Sequence, residues 1–454
     1  MTDAPSEVIA RPAFLDSPAV AAVLGALPGS RAVGGCVRDA LARRDIADVD
    51  VAAPLPPEAI ATRLRAAGMK VFETGVAHGT VTAVLDHAPV EVTALRRDVL
   101  TDGRHATVAW TTDWREDAAR RDFTINAMSL APDGALFDYF TGRADLASGR
   151  VRFVGDADTR LAEDYLRALR FFRFQARYGV GEPDAAAVAA IRRAVPGLAR
   201  LSAERVWMEL KRILSVPDPV AAVGLMAETG VLEAVLPEVG DIAVLEALVA
   251  AGAPPDPLLR VAALLRDPAA GTHVARIRKL ARDLRLSGTE AAALRALSRP
   301  PAESGIRPGM SVPEARRALA EATEWAGLAA ADDPRKALLG QAWMSTARAA
   351  AAGDAAVTGW RASIDTIAET VMPAFPIAGR DVVALGVDPG APVGAWLAQM
   401  RRWWIDSGCI ATRREVLAEL DRRIATDHDA ALAEAAPKPP DSGTGGGDGT
   451  ALGG

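Results

Sequence analysis

Along residues 1–150, short β-branched runs alternate with stretches whose apolar positions recur every three to four residues. That pattern predicts an α+β domain, a small mixed sheet with helices. Ser17-Pro18 opens a helix, with a capping residue and proline at the first helical position. Arg31-Ala32-Val33 reads as a short strand, Gly34-Gly35 as a turn and Cys36 to Arg43 as a helix. Asp48–Ala52, Gly79–Leu85 and Val90–Ala94 read as three further strands. From Asp158 onward Gly and Pro separate alanine-rich helical segments, and Ser311-Val312-Pro313-Glu314 opens one of them with a capping box. This region reads as all-α, without a fixed-period repeat. The pattern predicts four segments: an α+β segment over 1–150, helical segments over 151–265 and 266–436, and disorder over 437–454, which is rich in Pro, Gly, Ser and Asp.

Composition narrows the class. Of the 454 residues half are hydrophobic and 24% charged, as in globular proteins. No run of 18 apolar residues occurs, and residues 1–12 lack the basic-then-apolar order of a signal peptide. Two cysteines, Cys36 and Cys409, and five scattered histidines argue against a disulfide framework or a His/Cys metal site. A reducing cytoplasm and no membrane contact are the expectation. The net charge of −6 masks a local excess: Arg150 to Arg212 carries 13 Arg/Lys against 8 Asp/Glu, a balance of +5, which leaves −11 for the rest.

Candidate chemistry starts at Asp48-Val49-Asp50. On a strand, residues two apart share a face, so both carboxylates point together while Val49 and Val51 enter a core. Carboxylates this close repel unless a cation lies between them. A magnesium pair resolves the repulsion and orients a triphosphate for in-line attack; solvated acids on an edge strand are the alternative. Upstream, Gly34-Gly35-x-x-Arg38-Asp39 stands at a strand-to-helix turn, where glycines let a phosphate approach backbone N–H groups and Arg38 reaches the same phosphate. Glu91 is either a third carboxylate on a neighbouring strand or a solvent-facing residue. Asp164 and Arg167, three apart on an expected helix, offer an acceptor and a planar donor fork suited to the Watson–Crick edge of a base.

Val33-Gly34-Gly35-Cys36-Val37-Arg38-Asp39 with Asp48-Val49-Asp50 resembles the head of the class II CCA-adding tRNA nucleotidyltransferase and bacterial poly(A) polymerase family. Further along, Arg120 to Met128 (RRDFTINAM) is similar to that family's ribose- and phosphate-contacting segment, Glu163 to Phe171 (EDYLRALRF) to its base-reading helix, and Ser202 to Arg205 with Glu209-Leu210 to its last head-and-neck motif. Pro376–Gly408 looks like its tail region.

The resemblance implies template-independent addition of C, C and A from CTP and ATP to the tRNA 3′ end. Asp48 and Asp50 are then the catalytic, Mg2+-holding pair. Gly35, Arg38, Arg121, Asp164, Arg167, Arg170 and Arg173 bind the nucleotide, with Arg170 and Arg173 turned toward the triphosphate. Asp122 holds the ribose or braces the fold, Asn126 braces a turn, and Arg205 with Glu209 locks the neck as an i,i+4 pair. Arg96–Asp113 matches a mobile loop. Of Trp403 and Trp404, one is expected in the core and one partly exposed. Phosphohydrolase activity is not expected, since the only His-Asp pair is His428-Asp429.

Three rivals stay open. A poly(A) polymerase shares the head motifs, although Thr74–Val81 looks like the CCA-adding version of that segment. An enzyme adding only CC or only A uses the same residues. A non-catalytic RNA-binding protein should have lost Asp48, Asp50 or Arg167. Oligomeric state is not legible in the sequence.

Overall fold

In the computed structural model, which describes residues 4–75, 79–101, 106–266, 273–325 and 333–435, the chain divides into two units. The first takes residues 1–299 with 343–357 and the second residues 300–342 with 358–454.

Among the described residues the first unit begins with ten strands: β1 (Glu7–Val8), β2 (Arg31–Val33), β3 (Asp50–Ala53), β4 (Lys70–Gly75), β5 (Thr80–Leu85), β6 (Ala88–Ala94), β7 (Arg96–Thr101), β8 (Ala106–Trp110), β9 (Ser129–Leu130) and β10 (Ala135–Phe137). Eight of them form one sheet in the order β1-β10-β9-β2-β3-β6-β5-β4. All its neighbours run antiparallel except β3 and β6, which are parallel with Asp50 opposite Glu91. Helices α1 (Pro18–Ala26), α2 (Gly35–Leu41), α3 (Pro57–Ala66), α4 (Trp114–Ala119) and α5 (Gly142–Ala147) accompany it. Val23, Leu27, Ile60 and Leu64 bury against Val37, Val51, Val81 and Val92 on one face. On the other face Val33, Ala52, Leu95 and Trp114 form a smaller core. Alternation along β3 therefore sends Val51 into the first core and places Asp50 on the opposite face, with Ala52.

Two sequence expectations need correction here. The strand expected from Asp48 begins at Asp50, because its antiparallel partner β2 ends at Val33, opposite Asp50, and the chain there turns into α2. The stretch Arg96–Asp113 is not a simple loop: β7 and β8 pair as an antiparallel hairpin, with residues 102–105 outside the described residues. The expected disorder over 437–454 also lies outside them, as do residues 76–78 of the Thr74–Val81 segment. Helix α1 starts at Pro18 as the sequence predicts, although the Ser17 side chain makes no capping bond.

Among the described residues ten helices complete the unit's main run: α6 (Ala157–Glu163), α7 (Leu166–Tyr178), α8 (Ala185–Ala194), α9 (Ala203–Leu214), α10 (Val220–Glu228), α11 (Val231–Val235), α12 (Ala243–Ala250), α13 (Pro257–Leu264), α14 (His273–Asp283) and α15 (Gly288–Leu297). Phenylalanines join α7 to the preceding chain. The Phe123 ring lies 4.9 Å from Phe153 and 5.2 Å from Phe174, and Phe171 and Phe172 are fully buried beside them. This fixes the Arg120–Met128 segment against α7.

The second unit is helical and includes α16 (Val312–Trp325), α17 (Arg335–Ala351, up to Ala342), α18 (Val357–Glu369, from Thr358), α19 (Gly379–Ala384), α20 (Ala391–Asp406) and α21 (Arg413–Ala435). Glu314 accepts from the Ser311 backbone N–H at 2.8 Å, which starts α16 where the sequence predicts it. Met400, Trp404, Val382, Val416 and Leu420 form its core. Trp404 is buried and its Nε1 donates to the Ala411 carbonyl at 3.2 Å, whereas Trp403 is half-buried. Among the described residues no helix is long and apolar enough to cross a membrane.

Candidate active site

The turn between β2 and α2 sets the floor of the site. Gly34 has φ +71° and ψ −123°, a backbone conformation that side chains disfavour, and a Cβ there would stand 3.1 Å from Nη1 of Arg121. Helix α2 starts at Gly35 and carries Arg38 one turn in. Arg38 is buried; its Nε and Nη2 donate to Asp39 at 3.1 and 3.0 Å, and its Nη1 donates to Asn126 Oδ1 at 2.6 Å. Gly34→Ala is expected to cost roughly 1–3 kcal/mol of backbone strain and, by displacing Arg121, to raise KM for nucleotide. Urea unfolding and a nucleotide titration check both, and a variant matching wild type in both would remove this role for the glycine.

The polar chain continues from Asn126. Its Nδ2 donates to Asp122 Oδ1 at 3.0 Å, and Asp122 Oδ2 accepts from Arg170 Nε at 2.6 Å. Burial would raise the Asp122 pKa, but Arg170 and the Asn126 bond hold it below the ordinary value. Asp122 therefore braces: its oxygens are already engaged by Asn126, Arg170 and the Phe123 backbone N–H. Arg121 is held by Asp117, at 3.3 Å, and by the Asn126 carbonyl.

Asp50 faces this floor as an acid under pressure. Burial and the Glu91 charge raise its pKa, Arg121 pulls it back, and Asp48 adds to the rise. Asp48 precedes the strand and is exposed, close enough for its charge to be felt at Asp50. Among the described residues no three His, Cys, Asp or Glu side chains form a metal cage by themselves, so Glu91 does not complete one. Asp48 and Asp50 are hard oxygen donors with mutual repulsion and one nearby arginine, a set that fits a divalent cation whose remaining ligands come from substrate and water.

The pair expected to read the base, Asp164 and Arg167, is built differently from the sequence expectation. Asp164 is not on a helix: the chain breaks after α6, and Asp164 is extended, with φ −157°. Its Oδ1 accepts from the Leu166 backbone N–H at 3.0 Å to start α7, and its Oδ2 takes Arg205 of α9 at 2.6 Å. Arg167 sits in the first turn of α7. It pairs with Glu163 and donates to the carbonyls of Arg160 and Arg120, at 2.9 and 3.4 Å. Both side chains are thus fixed by their neighbours, yet each keeps capacity: a carboxylate has about four lone-pair sites and a guanidinium five donors.

Arg205 and Glu209, expected as a mutual pair, each engage another partner. Arg205 reaches Asp164, while Glu209 Oε1 accepts from Arg173 at 3.3 Å and Arg212 at 3.2 Å. Burial lowers the Arg173 pKa to about 10 despite Glu209. Behind α9, the fully buried Arg260 donates to the carbonyls of Leu214 and Pro217, at 2.6 and 2.7 Å, and also to that of Val216. It caps the helix end with a cation and holds the wall formed by 215–218.

These pieces line one cleft of about 1090 Å³. Gly35, Arg38, Asp50, Arg121, Asp164, Arg167, Arg170 and Arg173 all border it; Asp48 does not, and lies beside it through Asp50. The lining also includes Arg44, Arg177 and Arg212, which the motif pattern missed. Arg212 had a signal, three residues beyond Glu209 on one helix; Arg44 and Arg177 had none. Nine arginines and four aspartates line the cleft, a surplus of five positive charges that suits a polyphosphate.

A mixed sheet carrying a carboxylate beside a glycine turn, facing an arginine-lined helix, defines a nucleotidyltransferase. Residues 30–152 match the Poly A polymerase head domain, and residues 182–242 match the domain described as a probable RNA and SrmB-binding site of polymerase A. The chain is 34% identical over 401 residues to the mitochondrial CCA tRNA nucleotidyltransferase 1 of Mus musculus, covering 86% of each. The human counterpart is 34% identical over 403 residues, again 86% of each. The fold matches the crystal structure of the Bacillus stearothermophilus CCA-adding enzyme in complex with CTP, with a TM-score of 0.63 and 25% identity over 91% of this chain and 100% of that one. The chain belongs to the CCA tRNA nucleotidyltransferase family. It is an enzyme, a nucleotidyltransferase.

Proposed function

We propose that this enzyme adds C, C and A in turn to the 3′ end of tRNA, drawing on CTP and ATP without a nucleic-acid template. The observation that carries the reading is that one cleft holds both the carboxylate end, at Asp50, and the base-edge pair, Asp164 and Arg167. Residues 1–150 act as catalytic head and 151–265 as neck, with 266–436 as body and tail. Two buried free cysteines fit a reducing compartment, for which we take the cytoplasm.

Asp48 and Asp50 would hold Mg2+, which supplies a lower pKa for the attacking 3′-hydroxyl and neutralises the pyrophosphate leaving group. The protein's own groups do the positioning. Arg121, Arg170 and Arg173 face the triphosphate with fixed positive charge, and Gly34 and Gly35 leave the backbone open to it. Asp164 and Arg167 present acceptor and donor to the base edge. Because each is tied down before substrate arrives, little side-chain freedom is lost on binding.

A tRNA transcript lacking its 3′ end, incubated with Mg2+ and with CTP, ATP or both, should gain CCA and stop. Long A tails would assign a poly(A) polymerase, and CC or A alone a split-function enzyme. Arg167→Ala should lower kcat/KM for CTP about 10- to 150-fold, the loss of one charge-assisted contact of about 1.5–3 kcal/mol. Wild-type discrimination between CTP and UTP in that variant would sink the base-reading role.

A further inference from the structure

Arg38 is held in place by residues that lie outside the cleft. A Cβ at Gly35 would stand 3.7 Å from its Nη2, so the guanidinium flanks the turn where a phosphate can reach the backbone. A guanidinium has five N–H donors. Asp39 takes one from Nε and one from Nη2, and Asn126 takes one from Nη1. One hydrogen is left on each Nη for the cleft that Arg38 borders.

Two hydrogen bonds to one carboxylate make a planar fork only while that carboxylate keeps its angle. Asp39 is drawn two ways, because Arg177 Nη2 stands 3.9 Å from its Oδ2. Tyr178, the last residue of α7, decides between them. Its hydroxyl donates to Asp39 Oδ1, the oxygen that also takes Arg38 Nε. Its ring supports the guanidinium as well: Arg38 Cζ lies 4.6 Å from the Tyr178 centroid and 5.1 Å from that of Phe174, one turn earlier. Arg44 closes the assembly, 4.7 Å over the Tyr178 ring and donating to the Arg177 carbonyl at 2.7 Å. Asp39 and Tyr178 are both buried, and among the described residues neither borders the cleft. A buried carboxylate oxygen that lost its hydroxyl partner would gain by turning toward Arg177.

We infer that Tyr178 is a positioning residue for nucleotide addition: through Asp39 it fixes the plane of the Arg38 fork and so aims the two free donors at the triphosphate of CTP or ATP. The inference rests on the reading above, in which the cleft binds these nucleotides. A tyrosine that only filled the core would need no hydroxyl, and Phe171, Phe172 and Phe174 show what fills the same core without one.

The first test is Tyr178→Phe, which keeps the ring and removes the hydroxyl. Its Kd for CTP and for ATP should rise by the same factor, about tenfold. That is the low end for a charge-assisted contact, because the Arg38 contact is loosened rather than removed. Preference for CTP over UTP should stay at the wild-type value, since the base edge is met elsewhere. A double-mutant cycle separates positioning from packing. In an Arg38→Lys background, where an ammonium cannot form the fork, the same change should cost less than about twofold. Asp39→Asn should weaken both nucleotides at least as much as Tyr178→Phe, with the fold checked by circular dichroism. Wild-type affinity in folded Tyr178→Phe overturns the proposal, as does a full additive loss in the Arg38→Lys background. Should Tyr178→Phe fail to fold, wild-type affinity in Asp39→Asn overturns it. Wild-type protein that binds CTP and ATP yet extends no tRNA would instead refute the function proposed above, while the titrations still decide the role of Tyr178.

Discussion

Asp50→Asn should lower the rate of nucleotide addition by about three orders of magnitude or more, while the folded protein becomes no less stable. The two halves of this result come from one fact. Asp50 stands beside Glu91 and Asp48, and burial with those charges raises its pKa. A carboxyl whose folded pKa exceeds its unfolded value contributes stability below the unfolded pKa, near 3.8, and loses that contribution as pH rises through the folded value. At neutral pH the ionised group therefore adds nothing to the stability of the fold, water reaching its exposed side chain, and the neutral amide does not harm it. The amide is also a far poorer ligand for a divalent cation, and loss of several kcal/mol of charge stabilisation in the transition state amounts to about three or more decades in rate. Single-turnover addition to tRNA and urea unfolding at pH 5 and pH 8 measure the two sides. Addition within tenfold of wild type would refute the metal role; a large loss of stability at pH 8 would refute the electrostatic account.

Asp122→Asn should do the reverse, destabilising the protein by about 3 kcal/mol. Removing one partner of a buried ion pair costs about 3–5 kcal/mol because the other charge is left behind. Arg170 is partly exposed, so water recovers some of the loss and the lower end applies. Asp122 has a lowered pKa, burial being more than offset by Arg170 and Asn126. Its contribution is present above the unfolded pKa, near 3.8, and disappears as pH falls through the lower folded value. Wild type should therefore lose stability in acid below about pH 4, and the variant should show a flatter profile. Unfolding free energies from pH 2.5 to 7 test this (~0.5 pH steps suffice for the expected slope). A difference under about 1 kcal/mol at pH 7 would mean that the chain from Arg38 through Asn126 and Asp122 to Arg170 does not brace the site.

What the sequence revealed depends on the length of the signal. The run from Arg31 to Arg43 was legible because a strand, two glycines and a helix follow one another with unmistakable local chemistry. Strands β1, β9 and β10 have two or three residues each, too short for period-two alternation to register. The β7–β8 hairpin was hidden by its polar residues. In the site, residue identity was readable from the motifs, whereas geometry was not. Glu163 to Phe174 has continuous helical propensity, and the chain turns at Asp164 through its bond from the Leu166 N–H and its tertiary pairing with Arg205. Asp39, whose carboxylate takes Arg38 and Tyr178, lay within a recognised motif, but nothing local pointed to its partner 139 residues away. Arg260 left no trace at all, since its partners are backbone carbonyls that any sequence supplies.

The anchoring of Arg167 by the carbonyls of Arg160 and Arg120 has an evolutionary corollary. Main-chain oxygens survive every substitution that preserves the backbone path, so residues around the guanidinium can drift while its orientation persists. The guanidinium itself has no such latitude, because an ammonium offers no planar fork to span two separate carbonyls and a base. On the role proposed above, base selectivity would rest on Arg167 together with Asp164, with Arg167 set in a mutation-tolerant frame.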